Sequence, residues 1–191
     1  MNIFVLGIGF DKDGSLSNRS LAVLGKLITY LMKNNSLQNK IIYFVGGVKN
    51  IANQTEADCM AVLFEKICDK YDLFKDVRIK KLYPTKSISE SFKMIRKVIK
   101  DSEKNVVILP HKKTSLFFYE RCSWLAEYGG ILNKIHFVFA KPVSSLGSEA
   151  TWRTRNDVVF AIWNFLWYIG IPVVYSLGLE KIFSPKKNHH V

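Results

Sequence analysis

Cysteine is scarce: Cys59, Cys68 and Cys122 are the only three in 191 residues. No two of them stand as CxxC, and three cannot pair completely. A disulfide scaffold and a zinc ribbon are thereby excluded, and a reducing compartment is favoured. Acidic residues are also in deficit, 16 Asp and Glu against 28 Lys and Arg, which leaves a net charge of +12. Within the basic set arginine is rare, with six against 22 lysines. Sequence-reading nucleic-acid proteins lean on the planar Arg fork. Here the lysines are scattered, and no zinc-finger, homeodomain or RNP signature occurs, so no specific nucleic-acid partner is expected. Equally missing are GxSxG, the P-loop and HExxH, the signatures of common nucleophilic, phosphate-cradling and zinc-dependent enzymes. The adjacent pair His189-His190 does not have metal-ligand spacing.

What is present is a composition of 48% hydrophobic and 23% charged residues, that of a folded globular chain. Apolar runs alternate with helical stripes. The runs are Ile3–Leu6, Ile41–Val45, Val77 with Ile79 and Leu82, Val106–Leu109 and Ile135–Phe139. The stripes are Leu21-Leu24-Ile28-Leu31, Ala57-Met60-Ala61-Phe64-Ile67, Phe92-Ile95-Ile99 and Phe118-Cys122-Leu125, with a last apolar helix over 157–169. Strands alternating with helices predict right-handed βαβ units. The expected fold is a Rossmann-like three-layer α/β/α sandwich with a mostly parallel sheet of five or six strands. Residues 2–183 read as one domain and 184–191 as a flexible tail.

No basic leader or long apolar h-region opens the sequence, so a cytoplasmic location is expected. Residues 158–179 carry no charge and are bracketed by Arg153, Arg155, Lys181, Lys186 and Lys187. Gly170 and Pro172 interrupt them, which favours a docked or interfacial helix over a span. An anionic membrane surface is therefore a candidate partner beside a small anionic ligand.

In parallel sheets ligands bind outside the carboxyl ends of the strands, where strand order reverses. If the first three strands run outward one way and the last two the other, the crevice lies between the first and fourth strands. Gly7 and Gly9 end the first strand, but Lys12 stands where the third glycine of a dinucleotide fingerprint belongs, so an ordinary NAD site is not expected. Gly46 and Gly47 end the second strand and suit either an anion-binding amide nest or a plain tight turn. Asn53-Gln54-Thr55-Glu56 and Ser87-Ile88-Ser89-Glu90 both read as capping boxes at the same edge. Glu56 and Glu90 are thus candidate acid/base groups with a structural alternative. His111 follows the fourth strand and is a third such candidate. Arg121 borders its helix's buried stripe and needs a partner or a ligand. Arg19 lines up with Lys26 and Lys33, which predicts a solvated face unless its helix starts later.

Taken in order, these pieces resemble the SanA/YdcF-like family over roughly residues 3–130. The resemblance is carried by Val5-Leu6-Gly7, Gly14-Ser15-Leu16 followed by Arg19, Gly46-Gly47, Glu56-Ala57, Ser87 with Glu90, and Arg121. It implies a Rossmann-like fold with polar residues clustered at the sheet's carboxyl edge. It also implies binding of a nucleotide-like or phosphorylated small molecule, S-adenosylmethionine among the suggested ones, and a link to envelope metabolism. The chain departs from the family pattern at Ile88 and Ser91, where Thr and Asn are usual, and at Phe118, where His is usual. The loss of that His removes the most obvious proton-transfer group. Two alternatives stay open: a non-catalytic membrane-associated interaction protein, and a phosphoester hydrolase with a divalent cation in a carboxylate-bearing crevice, against which Asp11, Asp13, Glu56 and Glu90 show no recognisable ligand spacing.

Overall fold

The computed structural model describes residues 1–7, 9–34, 39–74, 77–84, 88–99, 104–109 and 135–140, together with Ile162 and Leu166, which are helical. The elements run β1 (Asn2–Leu6), α1 (Asn18–Lys33), β2 (Ile41–Val45), α2 (Glu56–Tyr71), β3 (Arg78–Leu82), α3 (Ile88–Val98), β4 (Asn105–Leu109) and β5 (Ile135–Phe139). The expected helix around Phe118, most of that over 157–169 and the tail lie outside the described residues, as do Ser87, His111 and Arg121.

All five strands are parallel, in the order β3-β2-β1-β4-β5. The sheet is the expected α/β one, with β1 at its centre. Period-two alternation splits its side chains between two cores. Ile3, Val5, Ile42, Phe44, Val106 and Ile108 face one way, onto Val23, Leu27, Met60 and Phe64 of α1 and α2. Phe4, Leu6, Tyr43, Val45, Val107 and Leu109 face the other way, onto Phe92 and Ile95 of α3. Burial on both faces explains why β1 and β4 read as unbroken apolar runs. β3 lies at the sheet's edge and exposes Arg78, Lys80 and Lys81, as its polar alternation predicts. The amino ends of β1 and β4 are joined by Asn2 Nδ2, which donates to Asn105 Oδ1 across 3.0 Å in a buried pair.

The phase of α1 differs from the expectation. Its buried face is Arg19, Ser20, Val23, Leu24, Leu27 and Leu31, whereas Leu21 is 42% exposed. Arg19, Val23 and Leu27 follow one another at i, i+4 and i+8, so Arg19 starts the buried stripe instead of joining Lys26 and Lys33 on the solvated one. Of the expected stripe Leu24 and Leu31 are buried, and Val23 and Leu27 join them where Leu21 was expected.

Candidate functional site

The register aligns the strand ends: Leu6 pairs with Val45, and Val45 with Leu82. The ladder continues one residue further, because Gly7 N–H donates to Val45 O and Gly46 N–H donates to Leu82 O. Gly7, Gly46 and Tyr83 therefore share the carboxyl edge. The order of strands reverses there between β1 and β4, the arrangement on which the expected crevice depended.

Two loops build the described rim of this edge, the one from β1 to α1 and the one from β2 to α2. The first turns at Gly9 and Gly14, whose φ values of 75° and 84° favour glycine. Gly9 O accepts from Ser17 N–H at 3.3 Å. Ser17 is the N-cap of α1, and its side chain accepts from Ser20 N–H. The second loop is organised by Asn50. Its Oδ1 accepts from Ala52 N–H and Gln54 N–H, and its Nδ2 donates across to Gly14 O.

Glu56 is the first residue of α2, only 3% exposed. Its Oε1 accepts from Gly9 N–H in the first loop, and its Oε2 accepts from Val48 N–H in the second. Burial pushes its carboxyl above the ordinary glutamate value, and these two amides pull the other way with less effect. The carboxyl lies against Gly7 and Gly46. A Cβ on Gly7 would sit 2.9 Å from Glu56 Cβ, and one on Gly46 would sit 2.6 Å from the same atom. These two glycines let α2 and its first side chain approach the strand ends, and their own N–H groups are taken by Val45 O and Leu82 O, so neither is open to an anion as a nest at Gly46 requires.

The capping box of α2 stands two residues beyond the expected one. Thr55 is the N-cap and Asp58 the third helical residue, with both reciprocal bonds present. Asn53, the expected cap, instead has a φ of 60° in the preceding turn. Thr55-x-x-Asp58 was a legible cap signal, but the overlapping Asn53-x-x-Glu56 concealed it.

Asp58 gathers a small exposed network that sequence reading missed. Lys81 Nζ and Tyr83 Oη each donate to its Oδ1 at 3.0 Å, and Thr55 Oγ1 donates to its Oδ2 at 2.6 Å. The Thr55 hydroxyl, with Lys81 and Tyr83 assisting, lowers the Asp58 carboxyl from 3.8 to about 2. A lowered folded value means stability that is present above the unfolded value and lost as pH falls through the folded one. Urea unfolding from pH 5 to 2 should therefore show stability falling between about pH 4 and 2, and Asp58→Asn should flatten that fall. The ion pair itself is over a third exposed at Lys81, so Lys81→Ala should cost less than about 1 kcal/mol.

The structure thus brings Gly7, Gly9, Gly46 and Glu56 into one cluster, with half-buried Gly47 next in the chain. Arg19 is 1% exposed in the first turn of α1, one residue past the N-terminal Asn18. Glu90 sits in the first turn of α3, half-buried. Among the described residues no three His, Cys, Asp or Glu converge to hold a metal ion, and no helix is long and apolar enough to cross a membrane.

The chain was compared with protein-family models, curated proteins and solved structures, and none of the three gave a match.

Proposed function

We propose that the chain is a SanA/YdcF-like domain that holds an anionic, nucleotide-like or phosphorylated small molecule at the carboxyl edge of its sheet, between β1 and β4. The observation that carries this reading is the reversal of strand order at β1 and β4, beside a rim of glycine-bearing loops. Such a switch point is where parallel α/β sheets take their ligands. The N-terminus of α1 adds positive potential on this side of the molecule, and Arg19 stands in its first turn. Arg121, Glu90 and His111 complete the set that the sequence offers. Glu56, with both carboxylate oxygens taken by backbone amides, belongs to the frame of the site.

The test is thermal unfolding against a panel of S-adenosylmethionine, ATP, UDP and inorganic pyrophosphate. A ligand present at about 100 times its Kd stabilises by about 2.7 kcal/mol. For a chain of this size that is a rise in Tm of about 5–10 °C. Arg121→Ala should abolish the rise and leave the ligand-free Tm unchanged. No shift with any member of the panel, and no small molecule found by mass spectrometry after gentle purification, would refute the reading.

A further inference from the structure

An acidic residue in the first turn of a helix is ordinarily explained by the helix dipole, which asks only for a negative charge near exposed N–H groups. Glu56 is held quite differently. Its two oxygens are divided between two loops, Oε1 on Gly9 N–H and Oε2 on Val48 N–H. The space around it is made by the missing side chains of Gly7 and Gly46, since a Cβ at Gly46 would also fall 2.8 Å from Oε2. Gly9, the recipient on the first loop, has a φ of 75° and passes the contact on, because its carbonyl accepts from the N-cap Ser17 of α1.

From this geometry we infer that Gly9 N–H and Val48 N–H form a built carboxylate receptor, and that Glu56 fills it as the positioning residue that fixes the β1–α1 loop and the head of α1. The receptor is bidentate. A carboxylate presents two separate acceptor atoms, one to each amide, whereas a spherical anion presents a single centre and a carboxamide nitrogen cannot accept. The positioning role bears on the ligand site only if the proposed function holds. The receptor stands without it.

The experiment is chemical rescue of Glu56→Ala by formate, read by amide hydrogen exchange. The variant keeps the glycines and amides but vacates the carboxylate. Gly9 and Val48 amides should exchange about tenfold or more faster, the scale of losing a hydrogen bond to an ionised acceptor. Formate should restore their protection saturably, and chloride at equal ionic strength should not. Amides of β4 should keep their wild-type protection throughout. Unchanged exchange at Gly9 and Val48 in the variant would overturn the positioning role. Faster exchange that formate fails to slow would overturn the receptor. Should Glu56→Ala fail to fold, Glu56→Gln keeps the volume but offers one acceptor, so one of the two amides should lose protection. Wild-type protection at both would overturn the inference. None of these readouts needs a ligand, so a silent ligand panel would sink the proposed function and leave this result intact.

Discussion

Phe64→Ala should lower the free energy of unfolding by about 3–5 kcal/mol, the range for emptying a buried phenylalanine site. Phe64 is 1% exposed and stands between two other rings. Its centroid lies 5.7 Å from that of Phe44 on β2 and 6.3 Å from that of Phe74 beyond α2, the latter ring nearly parallel. Deletion therefore leaves a cavity where α2 meets the sheet, and the flanking rings lose their aromatic partner as well as apolar area. Domains of this kind hold only about 5–15 kcal/mol in total, so the variant should unfold well below the wild-type urea midpoint. Phe64→Leu, which keeps most of the volume, should lose much less. Equal midpoints for wild type and Phe64→Ala would show that this ring cluster does not anchor α2.

Gly46→Ala should cost about 3 kcal/mol, an unusually large effect for one added methyl group. The methyl would lie 2.6 Å from Glu56 Cβ and 3.2 Å from the backbone nitrogen of Ala57. A flexible side chain can move aside, but a helix backbone cannot move without shifting all of α2. Gly46 N–H also holds the last bond of the ladder to Leu82, so β2 is not free to retreat. Gly25→Ala provides the contrast. Gly25 lies inside α1, is exposed and has nothing within 4 Å of the added atom. There alanine should stabilise by about 0.5–1 kcal/mol, because glycine is the poorer helix former. Thermal or urea unfolding of the two variants should thus move in opposite directions. A neutral Gly46→Ala would mean that α2 does not press against the strand ends as described.

The sheet was legible because its strands are buried on both faces. Continuous apolar runs such as Ile41–Val45 admit few readings once turn residues bound them, and the polar alternation of Arg78–Leu82 marked the edge. The alternation of elements gave parallel strands but not their order, so the β1/β4 switch point followed only once that order was assumed. Helix detail was less legible. In α1 the expected stripe began at exposed Leu21, whereas Arg19, Val23 and Leu27 are buried beside Leu24 and Leu31, and that phase depends on how the helix sits against β1. The α2 cap was ambiguous because two valid motifs overlap by two residues. Around the site, Gly7, Gly46 and Glu56 were each singled out, but their mutual contact was not visible. It is a tertiary fit between residues 10 to 49 positions apart, and no local pattern encodes it. Arg19 illustrates the same limit, since a buried guanidinium looks like a surface one until the helix phase is known.

The central place of β1 has a consequence for synthesis on the ribosome. Its first neighbour, β2, is translated about forty residues later, but its second, β4, begins 103 residues after Asn2. Until then a growing chain can assemble β1, β2 and β3 with their helices, leaving the flank of β1 that will receive β4 as an open template for any passing extended segment. Closing such a distant pair is slow. The emerging half-domain should therefore engage holding chaperones, and a chain stalled once β3 and α3 have left the ribosome but β4 has not should stay in that bound state.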